Sequence, residues 1–432
     1  LGKGEDLNGK AGNSKFKMSK KNDSYSHSLS YFAWQRLKKN KLSMFGLIVI
    51  FLCLMVAILG FLITPDCTPD ANDQLLELSK KPPGFTVKML QTRKNEPVHN
   101  VNVFSKMIFG EVSNFRSIPF SDYHFDGNDI VVREYTGDEK RTGTDIKYNL
   151  ADVVYAIDYN TPIQNNVEQG YTEFYEFGSN QKIKKTVKEL REEVEKNYII
   201  TRKYILGTDP AGRDLLSRLM LGTRVSFSVG FISVFISIVI GILMGALAGF
   251  YRGRVDDFIV WFTNVVWSIP TLLLVIAITL ALGKGFWQVF VAVGLTMWVE
   301  VARVIRGQIL SLREKEFVEA GRALGFTNAR IIMRHVIPNV MGPVIIISAA
   351  NFASAILTEA GLSFLGLGAQ PPTASWGAMI SAHQGYIIGD APYLAFLPGL
   401  AIVLMVLAFV LLGNGLRDAL DSKAVDEDQV MF

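Results

Sequence analysis

Six long apolar stretches, near residues 44–64, 224–250, 258–282, 286–305, 340–368 and 393–416, restrict this chain more than any other feature. A bilayer core about 30 Å thick takes about 20 apolar residues per helical crossing, and in lipid each backbone polar group must be satisfied inside the helix. Helices of a soluble core seldom reach such lengths. Charged residues make up 19% of the 432 residues, against roughly a quarter in an ordinary soluble domain. The expected class is an all-α polytopic membrane protein with six transmembrane helices.

The first run is too long for a secretory signal, follows about forty polar residues and lacks an A-x-A site, so it reads as an anchor. Before it stands "WQRLKKNK" (34–41), and positive flanks stay in the cytoplasm. Two later loops obey the same rule. One carries Arg252 and Arg254; the other, with its approach, carries Arg303, Arg306, Arg313, Lys315, Arg322, Arg330 and Arg334. The opposite face receives the "GKG" turn (283–285) and "QPPTASWG" (370–377), almost free of basic residues. Both termini are therefore expected in the cytoplasm.

This topology divides the chain into a cytoplasmic tail (1–43), helix 1 (44–64), an extracytoplasmic insert (65–206), a core with helices 2–6 (207–416) and a cytoplasmic tail (417–432). The first thirty or so residues have little to bury and are expected to be disordered. The chain begins with Leu1 rather than Met, which suggests trimming. In the insert, "DIVVREY" (129–135) and "DVVYAIDY" (152–159) read as strands, and "IKKTVKELREEVEKN" (183–197) as a solvated helix. The insert is expected to be α+β.

Several functions are excluded. The net charge of +4 comes from basic residues at membrane flanks, so no nucleic-acid partner follows. Cys53 and Cys67 form no metal or disulfide pattern. No G-x-x-x-x-G-K-[ST] occurs, so the chain is read as a non-enzyme without cofactor, catalytic or metal residues, and any ATP drive must come from another polypeptide.

Within the spans, Gly241, Gly245 and Gly249 form a small face suited to close helix contact, either inside the subunit or with a partner. Pro270 and Pro398 can kink their helices. Glu300 and Arg303, at i and i+3 near the cytoplasmic end of the fourth span, can pair or snorkel, and are read as a structural pair. Glu359, about 28 Å along the fifth span, can face a translocation vestibule or cap the neighbouring loop. Asp209, Arg213 and Asp214 offer a charge network beside a glycine turn; without converging groups they do not make a catalytic acid pair, but Asp209 and Arg213 join Glu359 as candidates for the path or its outer gate.

The segment "EFVEAGRALGFTNARIIMRHVIPN" (316–339), within a loop of about 306–339, is the remaining anomaly between two apolar runs. Phe317, Ala320, Gly321 and Leu324 recur at i, i+3, i+4 and i+7, a narrow apolar stripe, with Glu319 suited to the helix start. Gly325 is placed to end this helix, Thr327 to cap a second, and Pro338 marks re-entry towards the next span. Small residues on such a helix suit a groove on a partner; the other reading is a helix lying on lipid headgroups. On the first reading Gly321→Trp is expected to uncouple ATP hydrolysis from uptake without unfolding the spans.

Glu319, Ala320, Gly321, Gly325 and Pro338 resemble the EAA loop of ABC-importer permeases, whose short helix docks on the ATPase subunit. Two positions depart: Gly321 stands for the second Ala, and His335, read as a packing residue, for a common Ile. "LGTDPAGRDLLSRLMLGTRVS" (206–226), "ILTEAGLSFLGLGAQPPTASWG" (356–377) and "LLGNGLRDALD" (411–421) are similar to segments of the C-type permease of oligopeptide and dipeptide ABC importers. The resemblance implies the type I importer permease fold in the bacterial cytoplasmic membrane. It also implies a second homologous permease, two cytoplasmic ATP-binding subunits, an extracytoplasmic peptide-binding protein and membrane lipid as partners. Peptides are the implied cargo, with nickel chelates and peptide antibiotics as alternatives. The rivals are an ion-coupled secondary carrier, which needs polar groups converging near the midplane, and an anchored receptor in which the insert does the work.

Overall fold

The computed structural model describes residues 29–97, 101–137, 143–166, 170–178, 181–283 and 285–420. Residues 1–28, Lys284 of the "GKG" turn and the tail from 421 lie outside this set, as do the expectations placed on them. In chain order come α1 (Leu29–Lys39), α2 (Lys41–Leu59), then an insert with β1 (Phe85–Arg93), α3 (Val103–Phe109), β2 (Phe115–Asp126), β3 (Asp129–Glu134), β4 (Asp145–Asn149), α4 (Leu150–Val154), β5 (Gln164–Asn166), β6 (Tyr171–Tyr175), β7 (Lys182–Thr186), α5 (Val187–Glu193) and β8 (Ile199–Tyr204). The core follows with α6 (Leu215–Tyr251), α7 (Gly253–Trp267), α8 (Thr271–Leu282), α9 (Phe286–Leu312), α10 (Glu316–Ala323), α11 (Asn328–Ile331), α12 (Ile337–Phe364), α13 (Trp376–His383) and α14 (Tyr393–Leu420).

Among the described residues, five helical segments are long and apolar enough to cross a membrane: Lys41–Leu62, Leu215–Tyr251, Phe286–Leu312, Asn328–Phe364 and Tyr393–Leu420. The remaining apolar stretch is not the continuous helix expected over 258–282; it is the pair α7 and α8, bent by 90° into a broken span or a re-entrant loop. Pro270 has no N–H to continue the ladder and sits in extended backbone just before α8, so one helix ends and another begins. Pro398 lies near the start of α14, and that helix runs on through it.

The second span is longer than its apolar run, reaching back to Leu215 because Asp214 caps it, accepting from the Ser217 N–H at 2.8 Å. It packs lengthwise on α9, and the glycine stripe makes that contact. A Cβ at Gly241 would lie 2.5 Å from the Val301 side chain, and one at Gly245 2.6 Å from the Ala302 carbonyl. The stripe therefore serves packing inside this subunit.

The insert is α+β, as expected. A five-stranded antiparallel sheet runs β4-β3-β2-β1-β8, and a three-stranded one runs β5-β6-β7. The strand expected at 129–135 is β3. The one expected at 152–159 is overturned: Asn149 caps a helical turn, and Leu150, Ala151, Val153 and Val154 all point into the core, so tertiary packing overrides the strand preference of a valine pair. The helix expected over 183–197 begins only at Val187. Thr186 and Glu189 form a reciprocal capping box there, and residues 182–186 pair with β6.

Strand β8 leads directly into the turn before α6, so the insert is welded to the spans. Tyr393 donates to the Lys81 carbonyl at 2.8 Å and Ser79 to that of Pro210 at 2.9 Å. Arg224 of α6 donates to the carbonyls of Ala57, Ile108 and Met107 at 2.8, 2.8 and 2.6 Å, tying the end of α2 to α3.

Candidate coupling loop and membrane path

Helix α9 ends in a polar clasp at the side opposite the insert. Arg306 makes a two-pronged ion pair with Asp256 at 2.5 and 2.7 Å, Arg252 pairs with Glu314 at 2.7 Å, and Arg313 donates to the Phe250 carbonyl at 2.7 Å. These contacts fasten the loop's approach to the start of α7 and the end of α6.

Helix α10 opens with Glu316 and Glu319 in its first turn, where carboxylates suit the helix dipole. It ends as the glycine predicts. Gly325 sits at φ +75°, its N–H reaches the Arg322 carbonyl at 2.9 Å, and the Phe326 N–H reaches that of Gly321 at 3.0 Å, a Schellman closure. Thr327 then caps α11 through the Arg330 N–H, and Pro338 occupies the first turn of α12. His335 stacks on Phe326, centroids 6.0 Å apart and planes within 8°, as a packing residue.

The stripe itself needs correction. Phe317, Ala320 and Leu324 face outward, Leu324 with 72% of its surface free, while Gly321 turns inward beside Val318. A Cβ on Gly321 would touch Ile331 at 3.5 Å and Phe326 at 3.7 Å, so a tryptophan there strikes the loop's own interior before any partner. Val318, which the periodicity did not single out, is fully buried in a cluster with Phe250, Ile305, Ile309, Ile331 and Val340. Val318 and Gly321 are held inward by the neighbours that α6, α9 and the second half of the loop bring to that side of the helix.

The three path candidates fall elsewhere. Asp209 is fully buried and accepts from the N–H groups of Ala211 and Arg213 at 2.9 and 3.0 Å and from Arg213 Nε at 2.7 Å. Arg213 also reaches Asn72 of the insert at 3.1 Å. Both therefore lie at the junction of insert and α6. Beside them, Arg218 binds the carbonyls of Asp70 and Pro372 at 3.2 and 3.3 Å. Burial lowers the pKa of neighbouring His383, and burial pushes the Asp214 carboxyl up despite the Ser217 donors. Glu359 is buried near the insert-side end of α12. One oxygen accepts from Ser363 Oγ at 2.6 Å, and Ser375 stands close to the carboxylate.

Arg303 does not pair with Glu300. Its guanidinium lies 3.7 Å over the Trp267 ring and donates to Asn264 at 2.9 Å, which leaves Glu300 on the wall of a cavity at the broken span. No spacing rule signalled this, since the cavity exists only where α7 and α8 part.

Residues 237–426 match the family described as binding-protein-dependent transport system inner membrane component, and residues 28–83 match the N-terminal TM domain of oligopeptide transport permease C. A glutathione transport system permease protein of Pectobacterium atrosepticum is 42% identical over 218 residues, covering 50% of this chain and 72% of that protein. The chain belongs to this permease family. A dipeptide transport system permease protein of Alkalihalophilus pseudofirmus is 40% identical over 217 residues, covering 50% of this chain and 71% of that one. Among solved structures, an inward-facing MetNI methionine ABC transporter overlaps 46% of this permease and 95% of its own chain, with 19% identity and a TM-score of 0.40. The two matched stretches bracket most of the insert. The protein is a multi-pass membrane permease subunit of a bacterial ABC importer.

Proposed function

We propose that this permease carries peptides into the cell, driven by separate ATPase subunits that grip the outward face of α10. The observation that carries the reading is the two-sided build of that helix: Phe317, Ala320 and Leu324 are free on one side, and Val318 on the other sits in the cluster shared with α6, α9 and α12. Force applied to the free face is passed into three spans through packed side chains rather than through a flexible tether. Glu319, Gly325 and Pro338 set where the lever starts, stops and rejoins the membrane. Both termini and the loop lie in the cytoplasm, as the basic residues at this end favour. The insert faces out, where a peptide-binding protein delivers cargo, and a second permease completes the path.

Peptide cargo is supported by the names of the relatives, a glutathione and a dipeptide permease. The test is uptake of labelled di- and tripeptides by proteoliposomes holding the full complex. Uptake is expected to require internal ATP and the ATPase subunits; uptake driven by an ion gradient without them would refute the reading.

A further inference from the structure

The cavity of about 250 Å³ at the broken span is bounded by α7, α8, α9 and α12. Its walls carry Thr271, Glu300, Asn351, Ser354 and Thr358. Glu300 lies towards the loop-side end of the apolar run of α9 and Asn351 near the middle of α12, so the polar groups meet within the membrane-spanning part of the bundle. Such groups are costly there unless they serve a ligand or pair with one another.

They do not pair. Arg303, the nearest cation along α9, is occupied by Asn264 and Trp267, and Glu300 has no ion pair among the described residues. Asn351 is only 2% exposed, lines the cavity, and its Nδ2 has no hydrogen-bond partner among the described residues. A buried amide donor left open is an unmet demand for an acceptor. Opposite, α8 starts at Thr271 without a side-chain cap, so its first N–H groups and dipole present positive character at the same cavity.

We propose that this cavity is a substrate site that holds a short zwitterionic peptide by both ends. The ammonium group pairs with the Glu300 carboxylate, the terminal carboxylate sits at the start of α8, and Asn351 Nδ2 donates to a peptide carbonyl. The volume lies just below the range of about 300–1,000 Å³ typical of small-molecule sites, which selects a di- or tripeptide over a longer chain. The site rests on the peptide-import reading above.

The experiment uses the full complex in proteoliposomes, with Cys53 and Cys67 replaced by alanine and Ser354→Cys as reporter. Alanyl-alanine is expected to slow labelling of this cysteine by N-ethylmaleimide, while the same peptide with both termini blocked is not. Glu300→Gln should abolish the protection and lower alanyl-alanine uptake by about tenfold or more, the scale of one charge-assisted hydrogen bond, and Glu300→Asp should restore part of both. Equal protection by the blocked peptide, or no protection in a complex that imports alanyl-alanine, would overturn the site while leaving the import reading intact. A complex importing no peptide removes that reading, and the site with it.

Discussion

Leu324→Ala is the sharpest probe of the lever. The side chain projects from the C-terminal end of α10 with 72% of its surface free, so its removal leaves no internal cavity and should not change the permease's melting temperature. Full burial of a leucine is worth about 1.5–3 kcal/mol, and covering the free 72% against an ATPase groove is worth about 1–2 kcal/mol. The variant should therefore bind its ATPase subunit about 5- to 30-fold more weakly. Biolayer interferometry on permease held in nanodiscs, at several ATPase concentrations, reads this directly. Val318→Ala is the control in the opposite sense: it removes two methyl groups from a fully buried site, so it should lower thermal stability by about 2 kcal/mol at the loop while leaving the docking face chemically intact. Leu324→Ala binding within twofold of wild type would refute the assignment of this face to the ATPase.

Two further outcomes follow from the packing. Gly245→Leu forces a side chain against the Ala302 carbonyl and Ile305, so α6 and α9 must separate; a cost of about 1–3 kcal/mol or more should appear as a clear drop in melting temperature in detergent, which Gly307→Ala, with open space at its Cβ, should not cause. His383 is buried near Asp209, Arg213 and Arg218 with its pKa lowered below the usual histidine value. In the unfolded chain it takes up a proton as pH falls through about 6.5, whereas the folded chain holds it neutral, so its contribution to stability is present above that pH and declines below it. Melting curves from pH 8 to 5.5 should show this slope, and His383→Gln should flatten it.

The membrane class, the caps at Thr327 and Gly325 and the α+β character of the insert could all be read from the chain. Each depends on near neighbours or on a run's total hydrophobicity: a bilayer demands apolar length whatever lies beside it, and an αL terminus favours glycine locally. The strand at 129–135 was legible for the same reason, since its run of β-branched Ile130, Val131 and Val132 is a local signal. The "DVVY" turn was not, because four buried side chains outvoted a local preference.

What only the tertiary structure decided is which way things face. Periodicity marks a stripe on α10 but not its roll; the neighbours Ile331 and Phe250 took Val318 and Gly321 inward and left Phe317, Ala320 and Leu324 out. Spacing offered Arg303 to Glu300, yet Trp267 and Asn264 on the neighbouring α7 captured the cation and left the carboxylate on the wall of a cavity. A helix fixes the angle between its own residues, but its orientation is a property of the elements around it, and these come together from positions far apart in the chain.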